Sequence, residues 1–480
     1  MIPYPADVRR EKGRFRLAPA GRIVVADPQL LPLANLFAIE LRAITTVQPA
    51  VVQGAAADGD IVLTIDPAKA AESYTLATGS RAEICGGSCT AVAMGTVTLL
   101  QSLGRGRTRF VAPAMHVEDS PAAPYRGLMI DLARQWHPYE FLKQAVQLCR
   151  WYKINYLHLH LTDNESFTFP SAAYPQLATP GRHYTLEQLR KLEQFAADRG
   201  VTLLPEIDVP GHSAALNKAL PQVNCDPPGV HDLCPGREET YEVLDAIIGE
   251  MCDVFGRTPY FHIGADETQR KAWAGCRHCQ AARRRLGLDS DEELYRHFLV
   301  RANEMVRRRG KRTIVWEGFA RGGKVRVPRD VIVMEFESYY NLAPDLLADG
   351  YTVINTSWRP LYVCGWAACW PARYIHGWHM HRWESLWPIS PAYKKPIEVP
   401  PQSDVIGAQM CTWGQQSPEE LPSLRDRLAA MAERVWNPAS GKGYSDFAAR
   451  LERTDMGLSK FLYSLQPPSS WPTCITQPNQ

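Results

Sequence analysis

The chain of 480 residues lacks the features that mark several common functional classes. Its formal net charge is only +2, so it has neither a basic surplus for binding nucleic acid nor an acidic tail. It contains no stretch of 18 or more apolar residues, and we therefore predict no membrane span. The first five residues also lack the apolar core of a signal peptide. We expect either a secreted or periplasmic protein whose signal is absent from this sequence, or a cytoplasmic one.

Two further absences concern cofactors and metals. No Gly-x-Gly-x-x-Gly turn follows a strand-like run, so we predict no nucleotide or other cofactor. Cys276 and Cys279 form a Cys-x-x-Cys pair, but no second pair accompanies it at the spacing of a zinc ribbon. We therefore predict no metal site and expect the twelve cysteines to be free buried thiols or disulfides, with Cys225 and Cys234 as one pair that could join. The sequence contains no signal for an oligomeric state.

Residues 1–122 differ in pattern from the rest of the chain. Short β-rich runs at 61–65 and 73–77 are separated by Gly and Asp turn signals, and one helical run follows at about 90–103. These residues predict a small α+β domain. The segment 118–124, rich in Pro and Ala, is a plausible linker to a second domain at 123–480 that ends in a Pro/Ser-rich tail from Gln466.

From Tyr125 onwards, short apolar runs alternate with helical patterns. The eight strand-like runs are 127–131, 154–161, 201–207, 260–263, 313–316, 331–336, 351–355 and 405–410. Helical patterns at 138–153, 185–199, 238–255 and 291–309 separate several of them. This alternation is typical of parallel βαβ units, and eight units predict a (β/α)₈ TIM barrel. A doubly wound open sheet is the rival architecture.

Polar and aromatic side chains recur at the predicted carboxyl ends of these strands, where TIM barrels hold their active sites. They include histidines, carboxylates and tryptophans: Asp131, Arg134, His158, His160, Asp163, Glu165, Glu206, Asp208, His212, His262, Asp266, Glu267, Trp316, Glu317, Glu335, Glu337, Trp413 and Gln415. Aromatic faces suit sugar rings, and carboxylates suit hydroxyl groups and acid catalysis. The pattern predicts a carbohydrate-active site.

Five motifs in chain order resemble glycoside hydrolase family 20. The segment 262–267, His-Ile-Gly-Ala-Asp-Glu, is similar to the family's His-x-Gly-Gly-Asp-Glu signature. Segments 126–134, 158–163, 205–212 and 411–414 resemble the family's first, second, third and eighth barrel strands, and residues 1–122 resemble its small domain. The resemblance covers nearly the whole chain. It implies a retaining exo-β-N-acetylhexosaminidase acting on glycans with a terminal β-linked GlcNAc or GalNAc.

The resemblance also implies a reaction in which the 2-acetamido oxygen of the substrate is the nucleophile and an oxazolinium ion is the intermediate. Glu267 would be the general acid and then the general base. Asp266 would accept a hydrogen bond from the acetamido N–H and stabilise the positive charge that develops. Both neighbours can serve one site only if they lie where the fourth strand gives way to its loop.

The resemblance assigns roles to further residues. Arg134 would donate to the sugar O3 and O4. Trp316 and Trp413 would form walls of the acetamido pocket, and Tyr362 would bind the acetamido oxygen. Trp378 belongs to an aromatic, His-rich insertion, and from that composition we expect it to lie at the rim. Asp163 and His212 would orient the two catalytic carboxylates, whereas His160 would either support them or be a core histidine.

The sequence departs from the family pattern at three positions, of which the first bears on substrate choice and the last is minor. Gln415 stands where the family has a glutamate that binds O4 and O6, Phe336 is near a pocket tryptophan of some members, and Ala265 replaces a glycine. Gln in place of Glu removes a charge that would repel an O6 sulfate. Basic residues of an insertion could add positive charge: Arg373, His376, His379, His381 and Arg382. A 6-sulfo-GlcNAc-specific enzyme acting on mucin-type glycans is therefore an alternative.

Two other classes of protein are compared with this interpretation. A catalytically silent sugar-binding protein is disfavoured because Asp266 and Glu267 are both intact. A chitinase-type barrel would carry an Asp-x-x-Asp-x-Asp-x-Glu motif, which the sequence lacks.

Overall fold

The computed structural model describes residues 1–106, 110–228, 231–365 and 368–462, and the predicted tail from Gln466 lies outside them. The first 119 residues build an eight-stranded sheet and two helices. The strands are β1 (Asp7–Arg16), β2 (Arg22–Val25), β3 (Ala50–Val52), β4 (Ile61–Ile65), β5 (Tyr74–Thr78), β6 (Ala82–Gly86), β7 (Gly104–Arg105) and β8 (Phe110–Asp119). The helices are α1 (Leu31–Thr45) and α2 (Cys89–Ser102).

The strands of this sheet follow the order β1-β8-β5-β6-β4-β2-β3, and β7 pairs with β8. Helix α2 contacts β5 and β6, and ten of its fourteen residues are buried. It begins where the Ser88 side chain accepts a hydrogen bond from the Ala91 backbone N–H, which is a standard helix cap. The two β-runs and the helix expected in this region are present with shifts of one residue at most.

The remaining residues build a closed barrel with an insertion. The strands are β9 (Tyr125–Asp131), β10 (Tyr156–His160), β11 (Thr202–Glu206), β12 (Tyr260–His262), β13 (Arg312–Trp316), β14 (Ile332–Glu335), β15 (Thr352–Asn355), β16 (Tyr362–Cys364), β17 (Ala368–Cys369), β18 (Arg382–Trp383), β19 (Ile397–Glu398) and β20 (Val405–Thr412). The helices are α3 (Tyr139–Trp151), α4 (Leu186–Ala197), α5 (Ala214–Ala219), α6 (Glu238–Val254), α7 (Lys271–Gly275), α8 (Arg277–Leu286), α9 (Asp291–Arg307), α10 (Ala343–Ala348), α11 (Trp358–Leu361), α12 (Ala372–His376), α13 (Pro391–Lys394), α14 (Ser417–Trp436) and α15 (Tyr444–Leu458).

The barrel consists of β9 to β15 in sequence order, followed by β20, which pairs in parallel with both β15 and β9 and closes the ring. The predicted TIM barrel is therefore confirmed, and each of the eight predicted runs overlaps one barrel strand. All seven residues of β9 are buried, as expected for a parallel strand covered on both faces. Gly407 permits the closure, because a Cβ there would meet the Tyr125 carbonyl oxygen at 1.8 Å.

The insertion between β15 and β20 holds β16 to β19 and α11 to α13. Its strand β16 pairs with the last residues of β20, so the insertion begins beside the carboxyl end of the barrel. From the sequence, only the aromatic and His-rich composition of this insertion was apparent. The long helix α14, which follows β20, was not predicted. Among the described residues, no helix combines the length and the apolar composition needed to cross a membrane.

Buried ion pairs join the small domain to the barrel. Arg150 on α3 donates two hydrogen bonds of 2.7 Å to the carboxylate of Glu40 on α1, and both residues are at most 4% exposed. Lys153 donates to Asp119 at 3.1 Å and to the hydroxyl of Tyr74 at 2.7 Å. A buried charge that loses its partner is costly, so these pairs hold the two parts in one arrangement.

Replacing Glu40 with Ala should destabilise the protein by about 3 kcal/mol, because the buried Arg150 guanidinium would lose its counter-charge. The measurement is the midpoint of urea unfolding. Glu187→Ala is the control, since it breaks an ion pair with Lys191 that is exposed on both sides and should leave the midpoint unchanged. Equal midpoints for the two variants would contradict the prediction.

Candidate active site

The predicted carboxylates meet at the carboxyl end of the barrel. Strand β12 ends at His262, and Asp266 and Glu267 follow in its loop rather than in the strand. In this loop Gly264, Ala265 and Glu267 have φ angles of 67°, 80° and 42°. Because these φ angles lie in the left-handed region, successive side chains of the loop no longer point to opposite sides as they do in a strand. The carboxylates of Asp266 and Glu267 therefore both approach the imidazole of His212, at 3.8 and 3.3 Å from its Nε2 atom.

Asp208 holds the loop after β12 through a hydrogen bond to its backbone. Its Oδ1 accepts a hydrogen bond from the Ala265 backbone N–H at 3.1 Å, and the Tyr295 hydroxyl donates to the Ala265 carbonyl. A Cβ at Gly264 would lie 1.7 Å from the same Oδ1 atom, so only glycine fits this position. Ala265, which replaces a glycine of the family motif, takes its left-handed φ without such a clash.

A chain of alternating acids and imidazoles runs from the barrel interior to Glu267. Glu206 contacts Nδ1 of His160 at 2.5 Å, and Nε2 of His160 contacts Asp163 at 2.9 Å. The other oxygen of Asp163 contacts Nδ1 of His212 at 3.1 Å. His212 then reaches Glu267 through Nε2 at 3.3 Å. This relay, Glu206–His160–Asp163–His212–Glu267, brings together four predicted site residues and adds Glu206.

Glu206 is the hub of the buried end of the relay. Its two oxygens also contact His158 and His262, each at 3.1 Å, and accept a 2.6 Å hydrogen bond from the Trp316 indole. Burial alone would raise the pKa of Glu206, but the surrounding imidazoles, His160 first, hold it well below its usual range. His160 is fully buried and lies between Glu206 and Asp163, so it connects the barrel interior to the residues next to Glu267.

The protons of the relay lie on its imidazoles. Burial opposes the charge of His212, but Asp208 and Asp266, with hydrogen bonds to Asp163 and Glu267, raise its pKa well above the ordinary value. The hydrogen bond from His212 in turn lowers the pKa of Glu267. Burial raises the pKa of Asp266 against the opposing effect of His212. The free site therefore holds a protonated His212 beside an ionised Glu267.

Glu337 lies against Glu267 and was not assigned a role from the sequence. Burial and then the charge of Glu267 raise the pKa of Glu337 to about 9. A carboxyl group with this pKa is neutral at pH 7 and can donate a hydrogen bond. Glu337 thus adds a second proton donor beside Glu267.

Four aromatic rings form a box next to these groups. Trp316, Phe336, Tyr362 and Trp413 contact one another in a closed cycle, with successive ring centroids 5.9, 6.2, 6.0 and 6.0 Å apart. Trp413 is partly exposed, whereas the other three rings are buried. The predicted pocket residues Trp316, Tyr362 and Trp413 are therefore brought together, and Phe336 occupies the fourth wall.

Arg134 connects the aromatic box to the relay. Its guanidinium lies 4.8 Å from the centroid of the Trp413 ring, binds Asp163 at 2.7 Å and lies 3.3 Å from Nδ1 of His212. About 30% of its side chain is exposed, which leaves it accessible to a ligand. Gln415 is buried, and its amide donates to the Val363 carbonyl at 3.0 Å.

Trp378 does not lie at the rim, contrary to the prediction. Trp378 is 1% exposed, and its indole N–H donates to the Arg382 carbonyl. The backbone carbonyl of Trp378 in turn accepts a hydrogen bond from Arg434 on α14. The insertion folds back over α14, so this tryptophan fills the packing between the insertion and the barrel. The buried position of Trp378 could not be predicted from the sequence, because the prediction rested only on the aromatic composition of the insertion.

The basic residues of the insertion also have partners away from Gln415. Arg382 binds Glu384 at 2.8 Å, His376 lies 3.7 Å from Glu433 on α14, and Arg373 stacks on Tyr444 of α15. Three of the five basic residues expected around Gln415 therefore have partners elsewhere.

Three residues of the site were named from the sequence only as residues at strand ends, without a role: Glu206, Asp208 and Glu337. Each lies at or within two residues of the carboxyl end of a barrel strand. That position was the available signal, but only the contacts separate a carboxylate that binds a loop or an imidazole from one that faces solvent.

The assembled site combines acid–base groups with a small apolar box. Oδ1 of Asp266 is buried and has no hydrogen-bond partner among the described residues, whereas the Glu267 side chain is 47% exposed. The site can therefore accept a hydrogen bond from a ligand N–H at Asp266 and exchange a proton with the ligand at Glu267.

The chain matches two models of one protein family. Residues 124–439 match the catalytic domain of glycosyl hydrolase family 20, and residues 1–120 match domain 2 of the same family. A β-hexosaminidase from Porphyromonas gingivalis is 28% identical and aligns with 94% of this chain. The chain spans 62% of the length of that relative.

Two further comparisons agree in sequence and in fold. A β-hexosaminidase from Vibrio furnissii is 28% identical over 92% of this chain and 76% of its own length. A crystal structure of a family 20 exo-β-N-acetylglucosaminidase from Vibrio harveyi, in complex with N-acetylglucosamine, superposes with a TM-score of 0.83. That structure is 26% identical and covers 96% of this chain and 77% of its own.

Replacing Asp163 with Asn should lower the pKa values of His160 and His212, because both imidazolium ions lose an adjacent anion. The measurement is the pH titration of the histidine resonances in protein labelled with ¹³C-histidine, with His160 and His212 assigned by single replacements. Asp198→Asn at the end of α4 is the control. Unchanged titration of His212 in Asp163→Asn would contradict the relay.

Proposed function

Because the chain belongs to glycosyl hydrolase family 20, we propose that it is a retaining exo-β-N-acetylhexosaminidase. Its substrates would be oligosaccharides or glycans that end in a β-linked GlcNAc, or in GalNAc if the pocket accepts an axial O4. The observation that carries this proposal is the buried, unpartnered Oδ1 of Asp266, which precedes the half-exposed Glu267 in the same loop. An acetamido group offers an N–H for that oxygen and a methyl group for the box.

In the proposed reaction the substrate supplies the nucleophile. Asp266 accepts the acetamido N–H and so turns the acetamido oxygen towards the anomeric carbon. The oxygen attacks that carbon while the bond to the leaving oxygen breaks, and Glu267 gives its proton to the leaving oxygen. Ionised Glu267 then takes a proton from water, which attacks the anomeric carbon of the oxazolinium ion. Two inversions give net retention of configuration.

The relay accounts for how Glu267 obtains a proton. In the free site Glu267 is ionised, and the proton that it shares with His212 lies on the imidazole 3.3 Å away. A leaving group that enters this site displaces water, and this desolvation destabilises the carboxylate of Glu267 and raises its pKa. We propose that the proton then moves along the hydrogen bond from His212, with Asp163 stabilising the imidazolium until it is transferred.

The other predicted contacts follow from the same placement. Arg134, accessible beside Trp413, would donate to O3 and O4 of the terminal sugar. Trp316 and Trp413 would enclose the acetamido group, and Tyr362 would donate to its carbonyl oxygen. These assignments remain proposals about individual residues.

The sulfated substrate is less well supported than plain GlcNAc. The Gln415 amide donates to Val363, and the basic residues of the insertion pair with Glu384, Glu433 and other partners. Only the missing negative charge at Gln415 still favours a 6-O-sulfate. We therefore propose unsulfated terminal β-N-acetylhexosamine as the substrate.

Replacing Glu267 with Gln should lower kcat by about 10²- to 10⁴-fold for glycosides with poor leaving groups, because general-acid assistance is lost. Activated aryl glycosides need little protonation and should lose less. The measurement compares 4-nitrophenyl β-GlcNAc with chitobiose, and Glu239→Gln on the surface of α6 is the control. Equal losses for the two substrates would remove Glu267 from the role of acid.

Replacing Asp266 with Asn should lower kcat by roughly 10²-fold, because an amide N–H would face the acetamido N–H. The plain β-glucoside, which has a hydroxyl in place of the acetamido group, should be inert with the unmodified enzyme. Both are measured by release of 4-nitrophenol. Hydrolysis of the glucoside at a comparable rate, or a glycosyl ester trapped on the protein, would show that the enzyme supplies its own nucleophile. Binding of GlcNAc without any turnover would instead indicate a silent sugar-binding protein.

A further inference from the structure

Four cysteines that the sequence separates by up to 54 residues meet in the loops that follow β11 and β12. We propose that Cys225, Cys234, Cys276 and Cys279 bind one structural Zn²⁺ ion as thiolates. All four residues are at most 2% exposed, and their sulfur atoms lie within 4.8 Å of one another. The proposal concerns metal content and loop structure, and it does not rest on the proposed reaction.

The sulfur–sulfur distances match a tetrahedral zinc site. A tetrahedron with Zn–S bonds of about 2.3 Å has edges of about 3.8 Å. The Sγ of Cys234 lies 3.6 Å from that of Cys276 and 3.5 Å from that of Cys279, and Cys225 lies 4.0 Å from Cys279. Four thiolates in this geometry favour zinc over the harder metals, which prefer oxygen.

Disulfides fit this cluster poorly. A disulfide needs its two sulfur atoms at about 2.05 Å, and the three distances above exceed that by at least about 1.4 Å. Each sulfur also faces more than one possible partner, as metal ligands do. The prediction of no metal site, and the possibility that Cys225 and Cys234 form a disulfide, would therefore be replaced by a single four-ligand site. In that site Cys225 and Cys234 accompany Cys276 and Cys279, although their spacing is not that of a zinc ribbon.

The backbone around the cluster is adapted to it. The Asp226 N–H donates to the sulfur of Cys276 at 3.3 Å, a contact that stabilises a thiolate. Gly236 lets the two loops approach, because a Cβ there would lie 2.4 Å from the Cys279 backbone nitrogen. Four protein ligands leave no open position on the metal, which indicates a structural rather than a catalytic ion.

The cluster fixes the segment that joins the two catalytic loops. Immediately before Cys234, the Leu233 N–H donates to the Pro210 carbonyl, two residues from His212. Asp232 accepts hydrogen bonds from the backbone N–H groups of Gln269 and Arg270, at 3.3 and 2.7 Å, just after Glu267. We infer that the ion holds the loop of His212 and the loop of Glu267 in one relative position.

The first experiment measures metal in the full chain, purified without chelators, by plasma mass spectrometry. One zinc per chain is expected, and an organomercurial should release one equivalent to a chromogenic chelator. Cys276→Ser/Cys279→Ser should contain less than a tenth of an equivalent, whereas Cys149→Ser/Cys252→Ser, which removes two buried thiols elsewhere, should keep one. Iron in place of zinc, or no bound metal, would overturn the proposal.

A second experiment keeps the proposal testable if the serine variant does not fold. The unmodified protein is denatured with a chelator, without reductant, and alkylated, and its peptides are mapped by mass spectrometry. All four cysteines should be alkylated. Disulfide-linked peptides containing Cys225, Cys234, Cys276 or Cys279 as the main species would refute the metal site.

A third measurement tests the effect on the loops. Zinc removal should lower the midpoint of thermal unfolding by about 5 °C or more and expose the backbone next to Cys225 and Cys234 to protease. Adding Zn²⁺ back should reverse both effects, whereas Mg²⁺ should not. Identical midpoints and cleavage patterns with and without zinc would show that the ion does not support these loops.

Discussion

The buried carboxylate of Glu206 is the constraint on which the rest of the site depends. An ionised group without water must find donors among its neighbours, and here they come from three other barrel strands. Two of these donors also belong to other parts of the site. His160 begins the relay to Glu267, and Trp316 is the first wall of the aromatic box. The same anion therefore fixes the position of the acid–base groups and of the pocket, so that a change at Glu206 would disturb both together.

Alternation of charge explains why the relay is stable and what it can do. Carboxylates with lowered pKa values, Glu206 and Asp163, alternate with imidazoles whose pKa values are raised, His160 and His212. Each ion is flanked by ions of the opposite sign, which offsets the cost of burial. The consequence falls on Glu267 at the exposed end. Its carboxylate lies 3.3 Å from Nε2 of His212, which lowers the pKa of Glu267. In the proposed reaction the acid would therefore receive its proton from this neighbour.

The sequence predicted the barrel and the main site residues because both leave local patterns. Each barrel strand is a short apolar run, and Asp266 and Glu267 directly follow one of them. Predictions failed where the relevant contact is distant in sequence. The environment of Trp378 depends on an insertion that folds over α14, and its composition does not encode that path. The cysteine cluster joins Cys225 to Cys279, 54 residues apart, and becomes visible only when two loops of neighbouring strands are placed side by side.

The loop that carries Glu267 shows why support from two sides is needed. Ala265, Glu267 and Arg270 have positive φ angles, each costing on the order of 1–3 kcal/mol for a residue other than glycine. Three hydrogen bonds from this loop end on carboxylates, one on Asp208 and two on Asp232, and bonds to charged groups contribute about 1.5–3 kcal/mol each. The strain and its compensation are therefore of similar size. Asp208 is held by the barrel, but Asp232 lies on a long loop, and the loop can offset the strain only if something fixes it. Hydrogen bonds of Leu233 with Pro210 and Trp273 fix part of it, and the proposed ion bound by the four cysteines would fix the residues beside Asp232 as well.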